Sequence, residues 1–134
     1  MAVVAGMVTH RSVAGVQESG CMALGNLSSN NDENQTAIAR AGGIEVVVAG
    51  MEAHTSIAEV QDAGCKALKY LALTEGDVAA IARAGGIETV VTAMVAHRSI
   101  ADVQDESFQA LAGLAVNDEN TVAIARAGGI EAVV

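Results

Sequence analysis

Three residues near the middle of the chain form its densest group of side chains that could carry out chemistry. Lys66, Lys69 and Tyr70 lie within about one helical turn of each other and include both lysines of the chain. A desolvated lysine beside a second cation can act as a nucleophile and form a Schiff base with a carbonyl substrate. Nothing in the sequence indicates burial of either lysine, and lysines are mostly exposed. We therefore predict that the chain is not an enzyme, with a lysine-based site at these three residues as the alternative.

Histidines recur along the chain in a pattern that could suggest a metal site. His10, His54 and His97 each stand two residues before a serine, and they are separated by 44 and 43 residues. If these segments are stacked helical units, neighbouring histidines lie roughly 8–10 Å apart, whereas the ligands of one zinc ion converge at about 2 Å from it. The spacing therefore favours histidines that satisfy carbonyl groups at helix C-termini, and we predict no metal and no cofactor.

Two cysteines face the same problem of distance. Cys21 and Cys65 are the only cysteines, and they occupy equivalent places in consecutive units. A disulfide needs Cα atoms less than about 7 Å apart, so we expect free thiols. Phe108 stands at the same place in the next unit, which indicates a space-filling position at the edge of the core.

The composition excludes several classes of function. A net charge of −9 opposes binding to nucleic acid, which normally requires a basic patch. No apolar run approaches the roughly 18 residues of a membrane span, and the N-terminus does not resemble a signal peptide. These features predict a cytoplasmic or nuclear protein with reduced thiols. The chain has no proline, and its apolar residues are mostly alanine, valine, isoleucine and leucine, which favours helices packed in close layers.

The chain is built from a repeated unit. The octapeptide IARAGGIE begins at Ile38, Ile81 and Ile124, and one extra residue in the SSNNDEN segment makes one interval between units 44 rather than 43 residues. A fixed period of this size is typical of a solenoid. The repeat predicts a single domain over residues 1–134.

Each unit contains three predicted helices. The first is short, is capped by Asn31, Thr74 or Asn117, and ends at a Gly-Gly pair. The second begins with Ile-Glu directly after that pair, which allows the two helices to meet at a sharp angle. The third is long, and we predict that it begins at Ser12, Ser56 or Ser99, because a serine can cap a helix N-terminus.

This organisation resembles armadillo repeats. The unit length, the glycine break after the short helix and the CMALGNL segment of residues 21–27 carry the resemblance, with two-helix HEAT repeats as the nearest rival. The resemblance covers essentially the whole chain. It implies an all-α, right-handed solenoid of three armadillo-like repeats whose third helices line a concave groove for an extended peptide or partner protein.

The third helix has one repeated side and one variable side. Val16, Gln17, Ala23, Leu24 and Leu27 recur in all three copies and fall on one side of a helical wheel, where packing constrains them; the glutamines there are expected to satisfy buried backbone groups. The opposite side varies, and we call it the variable stripe. It comprises Ser19, Met22, Gly25, Asn26, Glu59, Ala63, Lys66, Lys69, Tyr70, Asp102, Glu106, Gln109, Ala112 and Gly113. We predict that the variable stripe lines the binding groove.

The resemblance also indicates what the groove does not bind. Armadillo grooves often carry an asparagine ladder with tryptophans one turn earlier, but here only Asn26 keeps the asparagine. Recognition of a nuclear-import signal by that ladder is therefore not expected. Acidic residues at the rim, Glu18, Asp62 and Asp105, favour a basic or mixed-charge peptide. The alternative is a fragment or an engineered repeat protein without a ligand of its own.

The two ends predict self-association. Residues 2–4 align with residues 46–48 inside a second helix, and the chain stops at IEAVV within the same kind of helix. Neither end carries a polar capping repeat, so both present apolar layers. We predict head-to-tail stacking of copies, with fraying of the terminal turns as the alternative.

Overall fold

The protein folds as a stack of helices. The computed structural model describes residues 1–133, and side chains up to residue 131. Within that range all regular elements are helices, and there are ten: α1 Ala2–Thr9, α2 Ala14–Ser28, α3 Asp32–Arg40, α4 Gly43–Ala53, α5 Ala58–Leu71, α6 Glu75–Arg83, α7 Gly86–Ala96, α8 Ala101–Leu114, α9 Asp118–Arg126 and α10 Gly129–Val133. Helices α3–α5 and α6–α8 form two complete units, which confirms the prediction of three helices per unit.

The short first helices begin as the sequence predicts. The side chains of Asn31, Thr74 and Asn117 each accept a hydrogen bond from the backbone N–H three residues later. At Thr74 the bond is reciprocal, because Asp77 accepts from the Thr74 N–H in return. These bonds satisfy donors that have no partner within the helix and so fix where it starts.

The Gly-Gly pair between the first and second helices has two separate structural roles. Gly42 and Gly85 have φ values of 90° and 87°, a conformation that residues with a Cβ rarely adopt. A Cβ on the next glycine, Gly86, would lie 2.9 Å from the carbonyl oxygen of Ile81. The pair thus lets α6 and α7 meet with a bend of 67°. Among the described residues, no single helix is long and apolar enough to cross a membrane, and only this bent pair reaches that length and composition together.

The third helices begin later than predicted, and the serine caps are wrong. The residues that precede α2, α5 and α8 are Val13, Ile57 and Ile100, and none of them makes a side-chain capping bond. Ser12 lies instead inside a turn closed by the bond from the Val13 N–H to the His10 carbonyl. The turn is held from the other side by the repeated glutamine, since Gln17 Nε2 donates to the carbonyls of Met7 and His10 at 3.0 and 2.9 Å. A glutamine in the first turn of the helix therefore orders the turn that contains Ser12, and the serine does not cap the helix.

The repeated side of the third helices packs into one continuous core. Helix α5 lies between α2 and α8, while α4 packs against α5 and α7 packs against α8. Leu24, Leu68 and Leu71 are almost fully buried, as predicted. Leu27 is the exception among the leucines of the repeated side, with 43% of its surface exposed against 0% for the equivalent Leu71. Helix α3 contacts α5, which carries Leu71, whereas no described helix takes the equivalent place beside α2.

Candidate binding surface on the third helices

The variable stripe lies along three adjacent helices, and most of it is accessible. Eight members are exposed and four are half-buried; the half-buried ones are Lys69, Tyr70, Glu106 and Gly113. Gly25 and Ala63 are buried, so these two predicted groove residues have no surface to offer a ligand. At Gly25 the reason is close packing, since a Cβ there would lie 3.5 Å from the Cα of Ala67 on the neighbouring helix.

Lys69 links α5 to α8 across the stripe. Its Nζ lies 3.2 Å from Glu106 Oε2 and 2.9 Å from Gln109 Oε1. The same nitrogen lies 4.8 Å from the centre of the Tyr70 ring, within the range of a cation–π contact. Lys69 thus makes its contacts within the protein, while Lys66 is exposed. The two lysines considered as a nucleophilic pair therefore occupy different environments.

The part of the surface formed by α5 and α8 is strongly acidic. Burial raises the pKa of Asp62, and the nearby carboxylates of Glu106, Asp102 and Asp105 raise it further, while Lys66 opposes them. Burial is the larger cause of this shift, and the neighbouring carboxylates add to it because they disfavour a further negative charge. On α2 the equivalent region carries Gly15, Ser19 and Met22, with Glu18 as its acidic residue. The negative field is therefore concentrated toward one end of the stripe.

The histidines bind carbonyls, but of the preceding unit rather than of their own helix. His54 Nε2 lies 2.8 Å from the Arg11 carbonyl oxygen, and His97 Nε2 lies 2.7 Å from that of Thr55. Because a carbonyl can only accept, the Nε2 atom donates in both bonds. The sequence indicated carbonyl partners at helix ends; only the packing of units shows that the bond joins one unit to the next.

The two cysteines are buried thiols in the core. Cys21 and Cys65 are fully covered, and burial raises the pKa of each thiol to about 12. Cys65 Sγ lies 3.5 Å from the hydroxyl oxygen of Ser107 on the next helix. Phe108, at the equivalent position in the last unit, is 40% exposed because no described helix covers it.

The repeated glutamines bind backbone carbonyls, which confirms their predicted role. Gln61 Nε2 donates to the carbonyls of Met51 and His54, and Gln104 Nε2 donates to those of Met94 and His97, at 2.9–3.0 Å. Each glutamine therefore ties the end of a second helix to the start of the third. No group of three histidine, cysteine or acidic side chains that could hold a metal ion occurs in the described part of the chain.

The whole chain has counterparts among solved structures. It aligns with an engineered protein, Northeast Structural Genomics Consortium target OR329, at 32% identity and a TM-score of 0.80, over 97% of this chain and 51% of that one. A second engineered protein from the same consortium, target OR497, gives 31% identity and a TM-score of 0.81, over 96% and 30%. This chain therefore spans about half of the first protein and under a third of the second.

No curated protein matches the sequence. The family comparison gives a match over nearly the entire chain, because the model described as LRRK2 ARM repeat aligns with residues 1–128. This match agrees with the three-helix unit, the glycine break and the stacked third helices. The chain is a repeat scaffold and belongs to the armadillo repeat family.

Proposed function

We propose that the chain is a non-catalytic binding scaffold that holds an extended peptide or protein segment on the variable stripe. The observation that carries this proposal is the contrast within α2, α5 and α8. Their repeated sides form the buried core, whereas the variable stripe is mostly accessible and changes its chemistry from unit to unit. Repeat proteins commonly bind along such an extended surface, and armadillo repeats generally bind protein or peptide partners.

The charges on the stripe favour a basic or mixed-charge ligand. Glu59 and Asp102 are exposed on α5 and α8, and the carboxylates of Glu106, Asp102 and Asp105 add to the burial that raises the pKa of Asp62. Lys69 is already paired with Glu106, so Lys66 is the cation left to meet an acidic group. We therefore expect basic side chains to bind near α8 and an acidic side chain to be tolerated beside Lys66.

The spacing of the helices sets the length of the ligand motif. Packed helices lie roughly 8–10 Å apart, and an extended peptide advances about 3.3 Å per residue. A bound peptide would therefore place about every third residue over a new helix. A motif with basic residues three positions apart fits this geometry better than one with consecutive basic residues.

A peptide-library selection against this chain, followed by affinity measurements over a range of salt concentrations, tests the proposal. We expect enriched peptides to carry basic residues and to bind more weakly as salt rises. The double variant Glu59→Gln/Asp102→Asn should weaken binding severalfold. The matched control is Glu75→Gln/Asp118→Asn, which removes the same charges from the first turns of α6 and α9, outside the stripe.

Three outcomes would contradict the electrostatic part of the proposal. They are selection of mainly acidic peptides, affinity that does not change with salt, and equal weakening by the two double variants. A Tyr70→Ala variant adds an independent measurement, because the Tyr70 ring lies beside Lys69 at the centre of the stripe. If its binding is unchanged, the ligand does not cross the middle of the surface.

A second candidate is an engineered or structural repeat module without a ligand. Two observations favour it: the octapeptide that repeats without change three times, and the two similar solved structures, which are of engineered proteins. The same selection distinguishes the candidates. A diverse library that yields no peptide dependent on the variable stripe would support the module without a ligand.

A further inference from the structure

The two ends of the solenoid carry apolar hollows of nearly equal size. At the N-terminal end, a hollow of about 360 Å³ is lined mainly by small residues, among them Ala2, Gly6, Gly15, Gly20 and Ala23. At the C-terminal end, a hollow of about 370 Å³ is lined by larger ones, among them Phe108, Leu111, Ile124 and Ile130. One end thus offers small residues where the other offers bulky ones.

The junctions inside the chain show how two such ends would meet. At the junction between α5 and α8, Cys65 faces Ser107, with 3.5 Å between sulfur and oxygen. At the junction between α2 and α5 the equivalent repeat positions are occupied by Cys21 and Gly64. A third junction of this kind would place Phe108 of one copy against Gly20 of a second copy. Phe108, the largest residue at the repeat position of Cys21 and Cys65, would then meet a glycine.

A hydrogen-bond series points to the same arrangement. His54 binds the Arg11 carbonyl and His97 binds the Thr55 carbonyl, one bond at each internal junction. The next carbonyl in the series belongs to Arg98, and the first histidine in the series is His10. Within the described residues the His10 ring makes no hydrogen bond, and it is exposed. In a head-to-tail pair, His10 of the second copy would donate to the Arg98 carbonyl.

An exposed leucine supplies the third observation. Leu27 is 43% exposed, although the equivalent Leu71 and Leu114 are 0% and 1% exposed. Helix α3 contacts α5, the helix that carries Leu71. In a head-to-tail pair, α9 of the preceding copy would take the place of α3 and cover Leu27.

We propose that the C-terminal end of this chain binds the N-terminal end of a second copy, so that α8 packs on α2 as α2 packs on α5. The contact is heterologous: each copy uses one surface at one end and a different surface at the other. Such contacts extend into filaments or close into rings. The proposal concerns the ends and does not depend on what the variable stripe binds.

Three matched variants test which surfaces associate. Phe108→Glu and Leu27→Glu place a charge on the C-terminal and N-terminal ends, at residues that are 40% and 43% exposed. Leu73→Glu makes the same change at a residue that is 44% exposed in the turn between α5 and α6. Because all three residues are substantially exposed, the variants should remain folded, which circular dichroism checks.

Sedimentation velocity over a wide concentration range is the measurement. We expect the unaltered chain and Leu73→Glu to form assemblies larger than the 13.5 kDa monomer as concentration rises. Each end variant should weaken association by roughly tenfold or more, because a charge buried without a partner opposes binding. A monomer at every concentration, or equal weakening by Leu73→Glu, would overturn the proposal.

Mixing the two end variants tests the head-to-tail geometry. Phe108→Glu keeps an intact N-terminal surface and Leu27→Glu keeps an intact C-terminal surface, so the mixture has one working pair of surfaces. It should form dimers of one copy of each variant and nothing larger. If the contact instead joins two identical surfaces, mixing will not produce the mixed dimer, and the proposal fails.

The register of the stack can be tested by shortening the chain. Met1 occupies the repeat position of Glu45, Glu88 and Glu131, so residues 131–134 duplicate the places of residues 1–4 in a continuous stack. A chain that ends at Ile130 should associate at least as tightly as the full chain. Weaker association would show that residues 131–134 form the contact themselves and would overturn the proposed register.

Discussion

The junction between α2 and α5 and the junction between α5 and α8 have the same geometry but different chemistry. At the first, Gly25 packs against the neighbouring helix, and a Cβ there would make a van der Waals contact, 3.5 Å from the Cα of Ala67. At the second, the residue equivalent to Gly25 is Lys69, which reaches across to Glu106 and Gln109. At one junction this position has no side chain and lies in the packed contact, and at the other a long charged side chain bridges the two helices.

The contacts common to both junctions explain how they tolerate this difference. The histidine directly after the second helix binds a carbonyl of the preceding unit at each junction, and a glutamine orders each turn before the third helix. These bonds involve backbone atoms and do not depend on residues of the variable stripe. The spacing of the units is therefore set by the repeated residues, while the stripe is free to differ.

Removing the apolar layer beneath both junctions should have the largest effect. Leu68 is 1% exposed, and Leu68→Ala should lower the free energy of unfolding by about 2–5 kcal/mol, because it leaves a cavity. Tyr70→Ala is the control on the same helix and should cost much less, since Tyr70 is half-buried at the stripe. Urea denaturation measures both. A larger loss for Tyr70→Ala would mean that the core does not depend on the repeated side.

Adding a side chain should distinguish the two junctions. Gly25→Leu should cost about 1–3 kcal/mol because it overpacks the contact with Ala67. Ala112→Leu makes a similar change at the equivalent, exposed position of α8 and should be nearly neutral. Thermal unfolding at low protein concentration compares them. If the two variants lose the same stability, the close approach at Gly25 is not limiting.

Breaking the charged bridge should have a smaller effect. The side chains of Lys69 and Glu106 are 21% and 17% exposed, so solvent screens the pair only partly. A double-mutant cycle with Lys69→Met and Glu106→Gln should give a coupling energy of about 0.2–1 kcal/mol that falls with added salt. A coupling of zero at low salt would show that the bridge adds nothing to the junction.

The smallest expected effect comes from the acidic side of the same junction. Because the folded-state pKa of Asp62 is raised above 3.8, the stability associated with its neutral form is lost as pH rises through the raised pKa. Asp62→Asn should therefore stabilise the fold at neutral pH by at most about a few tenths of a kcal/mol. The gain should disappear below pH 3.8, where the Asp62 carboxyl is neutral in both states. Thermal unfolding at several pH values measures it. Asp118→Asn, at the start of α9, should show no such gain.

Much of the fold follows from local sequence. The caps at Asn31, Thr74 and Asn117 and the left-handed glycines at Gly42 and Gly85 involve atoms a few residues apart. Such contacts depend on residue type and spacing alone, which is why the three-helix unit could be predicted. The predicted serine caps failed because the turn before α2 extends past Ser12 to Val13, where the Val13 N–H and the Gln17 amide both donate to the His10 carbonyl.

The candidate site was predicted less completely. A helical wheel separated the repeated side from the variable stripe, and twelve of the fourteen stripe residues are at least partly exposed. It could not show that Gly25 and Ala63 are buried, because burial at the stripe depends on how closely the next helix approaches. It also could not assign Glu106 and Gln109 as partners of Lys69, which lie 37 and 40 residues away.

The sequence by itself therefore determined the repeat, the helices within it and the side of each third helix that packs, because period and local hydrogen bonding fix these. The tertiary structure decided which unit each histidine binds, which stripe residues remain open, and that Leu27 and Phe108 stay exposed at opposite ends. These features depend on distances between helices far apart in the chain. Such distances are set by the packing of complete units against one another, which no single repeat specifies.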